Sequence, residues 1–186
     1  MRVLLLAPQV PWPARQGTAI RNSQVALQLA RRHDVTILAF GDPGAPCGTL
    51  EAAGVRVVAV PAPPPRALSR RVVDLFTTPT PDLARRLDDP GMSEAATRLV
   101  GGADGTFDVL QIEGLEMARH GLAAVAGSRG GRPRPIYDAH NAEWVLQHRA
   151  WQTDRGRPRL WHGALYSLVQ TAKLRRFERQ LLSAVH

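Results

Sequence analysis

The densest group of chemically capable side chains in the sequence is Asp138-Ala139-His140-Asn141-Ala142-Glu143-Trp144, directly after a short apolar stretch. Carboxylate, imidazole and amide groups set side by side suit a ligand whose hydroxyls both donate and accept hydrogen bonds, as those of a sugar do. His140 can move a proton near neutral pH, or serve as a hydrogen-bonded structural histidine. Asn141 and Glu143 can contact a ligand, or act as a helix N-cap and its first-turn acid. A second candidate is the run PQVPWPARQG at residues 8–17, longer than most strand-to-helix connections. It delivers Gly17 and Thr18 to the start of a helical pattern, where free backbone amides and the helix dipole favour an anion or a sugar hydroxyl, with Arg21 one turn further in. A plain turn glycine is the alternative reading of Gly17. Glu113-Gly114, at the end of another apolar run, is the third candidate.

Other chemistries lack their residues. There is no glycine-rich dinucleotide fingerprint, no phosphate-binding loop ending in Gly-Lys-Ser/Thr and no nucleophile elbow. His33, His120, His148, His162 and His186 form no ligand spacing, so no metal is expected. The single cysteine, Cys47, cannot make an internal disulfide, which fits a reducing compartment.

The elements that must carry these candidates can be read from periodicity. Residues 2–7 (RVLLLA) form a continuous apolar run stopped by Pro8, as a buried parallel strand does. A helical pattern follows Thr18 and ends at Arg31-Arg32-His33, and residues 34–40 (DVTILAF) form a second strand. A turn of helix over 50–53 leads to a third strand over 55–60, closed by the prolines of 61–65. Short helices are expected over 67–78, 82–87 and 92–100, a strand over 107–112, a helix over 115–126 and a strand over 135–140. From there the pattern is helical, over 142–151 and 159–182. In the last helix Trp161, Leu165, Leu168, Ala172 and Arg176 share a stripe, which is expected to pack.

Strands alternating with helices predict an α/β protein with a Rossmann-like, doubly wound, mainly parallel sheet of at least five strands, followed by C-terminal helices. Residues 1–186 are expected to be one domain, with a sheet core over 1–143 and a basic helical segment over 144–186. In such sheets ligands gather outside the carboxyl ends of the strands, and all three candidate segments lie there. Net charge is +8, of which the last 43 residues hold +6, from eight basic residues against Asp154 and Glu178. That segment suits phosphate groups on a lipid headgroup, a substrate or nucleic acid, or is a solvated arginine-rich surface. No nucleic-acid reading motif accompanies it, so no nucleic-acid partner is expected. The N-terminal apolar run is too short for a signal segment. A cytoplasmic protein is expected, at most peripheral at the inner face of a membrane.

Taken in order, RVLLLAPQVPWPARQGTAIR, LARRHDVTILAF, FDVLQIEG, YDAHNAEW and KLRRFERQLL resemble the N-terminal domain of GT-B-fold glycosyltransferases of the family 4 type, especially bacterial sugar transferases of polysaccharide assembly. The chain departs from that family in its first loop, where Gln16-Gly17 stands in place of a Gly-Gly pair. The resemblance implies one half of a GT-B fold, with Gly17, Thr18, Arg21, Glu113, Asn141 and Glu143 binding an acceptor and His140 near the reacting sugar. It implies a saccharide or lipid-linked acceptor, a nucleotide-sugar donor held by a complementing C-terminal domain rather than by this half, and retention of configuration without an essential metal. On that reading the chain breaks off at the start of the next strand and is inactive alone. The rival reading is a non-catalytic Rossmann-like module whose basic C-terminal helices, with Trp144, Trp151, Trp161 and Tyr166 among the arginines, dock on a membrane or a partner protein.

Overall fold

The computed structural model describes residues 1–102, 107–128 and 133–185; His186 lies outside them. The chain divides into two compact units. A sheet unit comprises chiefly Met1–Pro63 and Leu87–His140, and a helical unit comprises Pro64–Arg86 and Asn141–Ala184.

The sheet unit is built on β1 (Arg2–Ala7), β2 (Asp34–Phe40), β3 (Arg56–Val60), β4 (Val109–Glu113) and β5 (Arg134–Asp138), all parallel, in the order β3-β2-β1-β4-β5. This is the doubly wound α/β architecture that the alternating pattern predicts. β1 and β2 begin and end where expected because both are buried on both faces, which forces an unbroken apolar run. Alternate residues feed two cores. Leu4, Leu6, Leu38, Phe40, Leu110 and Ile112 pack on one face with Met92, Ala96 and Val100 of α4 (Pro90–Gly101) and with Ala124 of α5 (Ala118–Gly127). Val3, Leu5, Ala7, Val35, Ile37 and Ala39 pack on the other with Ala26 of α1 (Gly17–Ala30) and Leu50 of α2 (Thr49–Ala52).

Several boundaries move for local reasons. β4 starts at Val109 rather than residue 107, because the Asp108 carboxylate turns to accept a hydrogen bond from the Arg2 backbone amide at 2.7 Å. The helix expected over 82–87 is only a 3-10 turn, Leu83–Arg85. Beyond it, the residue before Pro90 is pushed out of helical backbone, and Asp89 sits extended there, capping α4 with its side chain on the Met92 amide at 3.0 Å. The helix over 115–126 opens as a 3-10 turn at Leu115–Met117 before α5 begins. β5 stops at Asp138, so His140 lies beyond the strand. His120 of α5 is buried and spent on structure: Nε2–H donates to the Leu87 carbonyl at 2.8 Å and Nδ1 accepts from Ser93 Oγ at 2.7 Å. Burial holds its pKa below the ordinary histidine value.

The helical unit contains α3 (Leu68–Thr77), α6 (Glu143–Asp154) and α7 (Trp161–Ala184), the last preceded by a 3-10 turn at Pro158–Leu160. Its interior is unusually ionic. Asp74, 5% exposed, takes Arg66 at 3.0 Å, Arg85 at 2.9 Å and Arg70 at 3.3 Å. Asp82 takes Arg66, Arg71 at 2.9 Å and the Tyr166 hydroxyl at 3.1 Å. The stripe expected to pack α7 does not: Trp161, Leu165 and Leu168 are exposed, and Ala164, Ser167, Gln170, Leu174 and Leu181 are buried instead. The reason is polar. Gln170 accepts from the Asp82 amide at 2.9 Å and Ser167 accepts from Gln147 at 2.8 Å, which turns that face inward at the expense of the apolar one.

Candidate functional site

β1 is the strand from which the chain leaves in both directions, to β2 on one side and eventually to β4 on the other. The carboxyl ends of β1 and β4 therefore border a topological switch point, where an open α/β sheet leaves a crevice for ligands. Three of the residues expected from the sequence to act on a ligand meet at this end of the sheet unit: Arg21, Glu113 and His140.

Glu113 is the last residue of β4 and is fully buried. Its side chain is surrounded by donors. His140 Nε2 lies 3.1 Å from Oε2, and Gln111 Nε2, two residues back on the same side of the strand, donates to Oε1 at 2.6 Å. Asn22 of α1, 1% exposed, completes the set. With its amide nitrogen turned toward the acceptors around it, it donates to Glu113 Oε2 at 3.0 Å and to the Thr18 carbonyl at 3.3 Å.

His140 sits two residues past β5 and is partly exposed. Since Nε2–H donates to a carboxylate, the neutral ring presents Nδ1 as an acceptor. The hydrogen bond to Glu113 raises the His140 pKa above the ordinary value, against an opposing effect of burial. Gly114 makes room for this ring. Its backbone, at φ 79° and ψ 166°, belongs to a region that side chains rarely enter, and a Cβ there would lie 3.4 Å from His140 Nδ1 and 3.1 Å from Glu116 Oε2.

The Arg21 side chain is exposed but already partnered. It forms an ion pair with Asp138, whose Cα faces that of Glu113 across the β4–β5 ladder. Gly17 is the first residue of α1 and Thr18 the second, so the helix begins two residues earlier than the pattern after Thr18 suggests. A Cβ at Gly17 would meet nothing within 4 Å, so neither packing nor backbone angle demands glycine there. Asn141 and Glu143 belong to the helical unit, where Asn141 Nδ2 donates to Glu143 Oε1 at 3.2 Å. Ala142, not Asn141, occupies the N-cap of α6, while Glu143 does lie in its first turn.

Asn22 and Gln111 are not among the candidates expected from the sequence, and Asp138 stands in the candidate run without a role of its own. Asn22 carried a usable signal: with Ala19, Ser23 and Ala26 it follows the spacing of one buried helix face, on which an amide needs a partner. Gln111 and Glu113 follow the two-residue period of a strand face.

A cavity of about 470 Å³ also opens at the carboxyl edge, over the ends of β2 and β3, lined by Gln9, Trp12, Phe40, Asp42 and Glu51 among others. Neither Glu113 nor His140 lines it. The switch-point cluster sets an imidazole against a carboxylate, whereas the cavity offers an indole, an amide, two carboxylates and the Cys47 thiol and no basic side chain. Comparison with protein-family models, with curated proteins and with solved structures finds no match for the chain.

Proposed function

We propose that the sheet unit is the acceptor-binding half of a GT-B-type glycosyltransferase of the family 4 kind, acting on a saccharide or the sugar end of a lipid-linked acceptor. The observation that carries this reading is the Glu113–His140 pair at the switch point: a partly exposed imidazole, oriented by a buried carboxylate, with one nitrogen left to accept. An acceptor hydroxyl donates to His140 Nδ1. As its oxygen forms the new glycosidic bond to the anomeric carbon of the donor sugar, the bond from that carbon to the donor's phosphate oxygen breaks and the nucleotide leaves with the electron pair. The hydroxyl proton passes to Nδ1, and the Nε2–H hydrogen bond to Glu113 stabilises the imidazolium. The nearby cavity suits a neutral sugar, since Trp12 offers an apolar surface and Gln9, Asp42 and Glu51 offer acceptors for hydroxyl groups. The nucleotide-sugar donor and the domain that would hold it belong to the same proposal.

The test is a set of amide-resolved NMR spectra of the chain with maltose, cellobiose or lactose, and separately with inorganic pyrophosphate. Saccharides are expected to move the signals of Gly114 and His140 and those of the loop around Trp12, and His140→Ala is expected to remove the first set. No saccharide-dependent change at these residues would refute the reading. Turnover of a nucleotide sugar by this chain alone would refute the division of labour between two domains.

A further inference from the structure

The helix α3 is turned inside out. Ordinarily an amphipathic helix packs its apolar side and shows its polar side to water. Here the packed side carries Asp74, bound by Arg66 and Arg85, with Leu75 beside it, and the Lys173 ammonium donates to the Asp74 and Leu75 carbonyls at 3.1 and 2.6 Å. The opposite side shows Leu68 at 71%, Val72 at 51%, Val73 at 51% and Phe76 at 71% exposure. Leu68, Val72 and Phe76 follow four-residue spacing, so they stand one above another along a single face with Val73 next to them. Isolated exposed apolar residues are ordinary, but a contiguous row of four on one short helix marks a contact surface.

We propose that this face docks the protein on an anionic lipid surface, with α3 lying in the plane of the interface. Charge selects the occupant. Five arginines of the segment, Arg66, Arg70, Arg71, Arg85 and Arg86, stand against two acids, Asp74 and Asp82, so the segment keeps a positive surplus although four of the five pair with those acids. Arg70, whose side chain is 64% exposed, is one of the arginines paired with Asp74. The acids of this segment, Asp74 and Asp82, are turned inward onto arginines. A bilayer carrying negative headgroups takes the apolar row to a depth of roughly 5–10 Å and matches the positive surplus. Among the described residues no helix is long and apolar enough to cross a membrane, so the contact is with one surface only. This assignment differs from the sequence expectation, which put membrane contact on the basic segment after residue 143, and it stands independently of any reaction on a sugar.

The experiment is co-sedimentation of the whole chain with vesicles of phosphatidylcholine alone and of phosphatidylcholine mixed equally with phosphatidylglycerol. The expected result is binding to the mixed vesicles, reduced by salt. A Leu68→Ser/Phe76→Ser variant is expected to lose at least about tenfold in partitioning, from the apolar area removed, with an unchanged circular dichroism spectrum because both side chains point away from the packed face. Arg70→Gln is expected to weaken binding to mixed vesicles. Failure of the parent chain to bind mixed vesicles, or equal binding by the double variant, overturns the proposal. So does a concentration-dependent dimer that the double variant abolishes.

Discussion

Replacing Gly114 with alanine tests the site's construction at a single atom. With φ at 79° and ψ at 166°, the residue lies in the backbone region that is essentially reserved for glycine, where a side chain costs about 1–3 kcal/mol. The new methyl would also stand 3.1 Å from Glu116 Oε2, the far end of a flexible side chain that can give by that little, and at ordinary contact, 3.4 Å, from His140 Nδ1. The expected destabilisation is therefore set by the backbone, about 1–3 kcal/mol, or roughly 2–12 °C in melting temperature for a chain of this length. Gly17→Ala is the matched control. Gly17 sits at the start of a helix in open space without a positive φ, so alanine there is expected to be neutral or to stabilise by about 0.4–1 kcal/mol by restricting the unfolded chain. Urea unfolding followed by tryptophan fluorescence gives both numbers. If Gly114→Ala unfolds with the parent, within about 0.5 kcal/mol, the backbone argument is wrong. If Gly17→Ala is as damaging as Gly114→Ala, Gly17 is not the unconstrained position described above.

Two further outcomes are expected. The His140 pKa is raised in the folded chain, so its contribution to stability is complete below the ordinary histidine value of about 6.5 and disappears as pH rises through its own higher value; Glu113→Gln should bring the His140 titration, followed by NMR of its ring protons, back toward the ordinary value, and an unmoved titration would remove Glu113 as the cause. Asp74→Asn should cost about 3 kcal/mol in the urea transition of the helical unit, because it leaves Arg85 facing a neutral side chain in a largely buried setting and Arg66 with Asp82 alone, and a loss below about 0.5 kcal/mol would show that these pairs hold nothing together.

How far the sequence could be read depended on what each element needed from distant residues. β1 and β2 are packed on both sides by apolar groups, so their own composition marks them. β5 is an edge strand with Ile136 exposed and a mixed composition, and its end was placed two residues late. α7 misled most. Its apolar residues at 161, 165 and 168 look like a packing stripe, yet the buried face was chosen by Asp82 and Gln147, partners 88 and 20 residues away along the chain. The same holds at the site. Glu113 and His140 stood out as polar residues at strand ends, and Gln111 shares the face of Glu113 by the strand period alone, but that Asn22 of α1 would complete the carboxylate's partners follows only from the folded chain.

The β4–β5 register has a consequence for what the crevice can attract from a distance. It sets Glu113 abreast of Asp138, and each acid has its own base, His140 for one and Arg21 for the other. Arg21 and Asp138 offset one another, whereas Glu113 is offset only while His140 carries a proton. A phosphate-bearing ligand drifting past would find no net positive charge in these four groups to draw it in: at most the two pairs cancel, and with the imidazole neutral the buried carboxylate charge is left over. Such a ligand would be sorted only on contact, by how well its hydroxyls fit donors and acceptors already committed to one another.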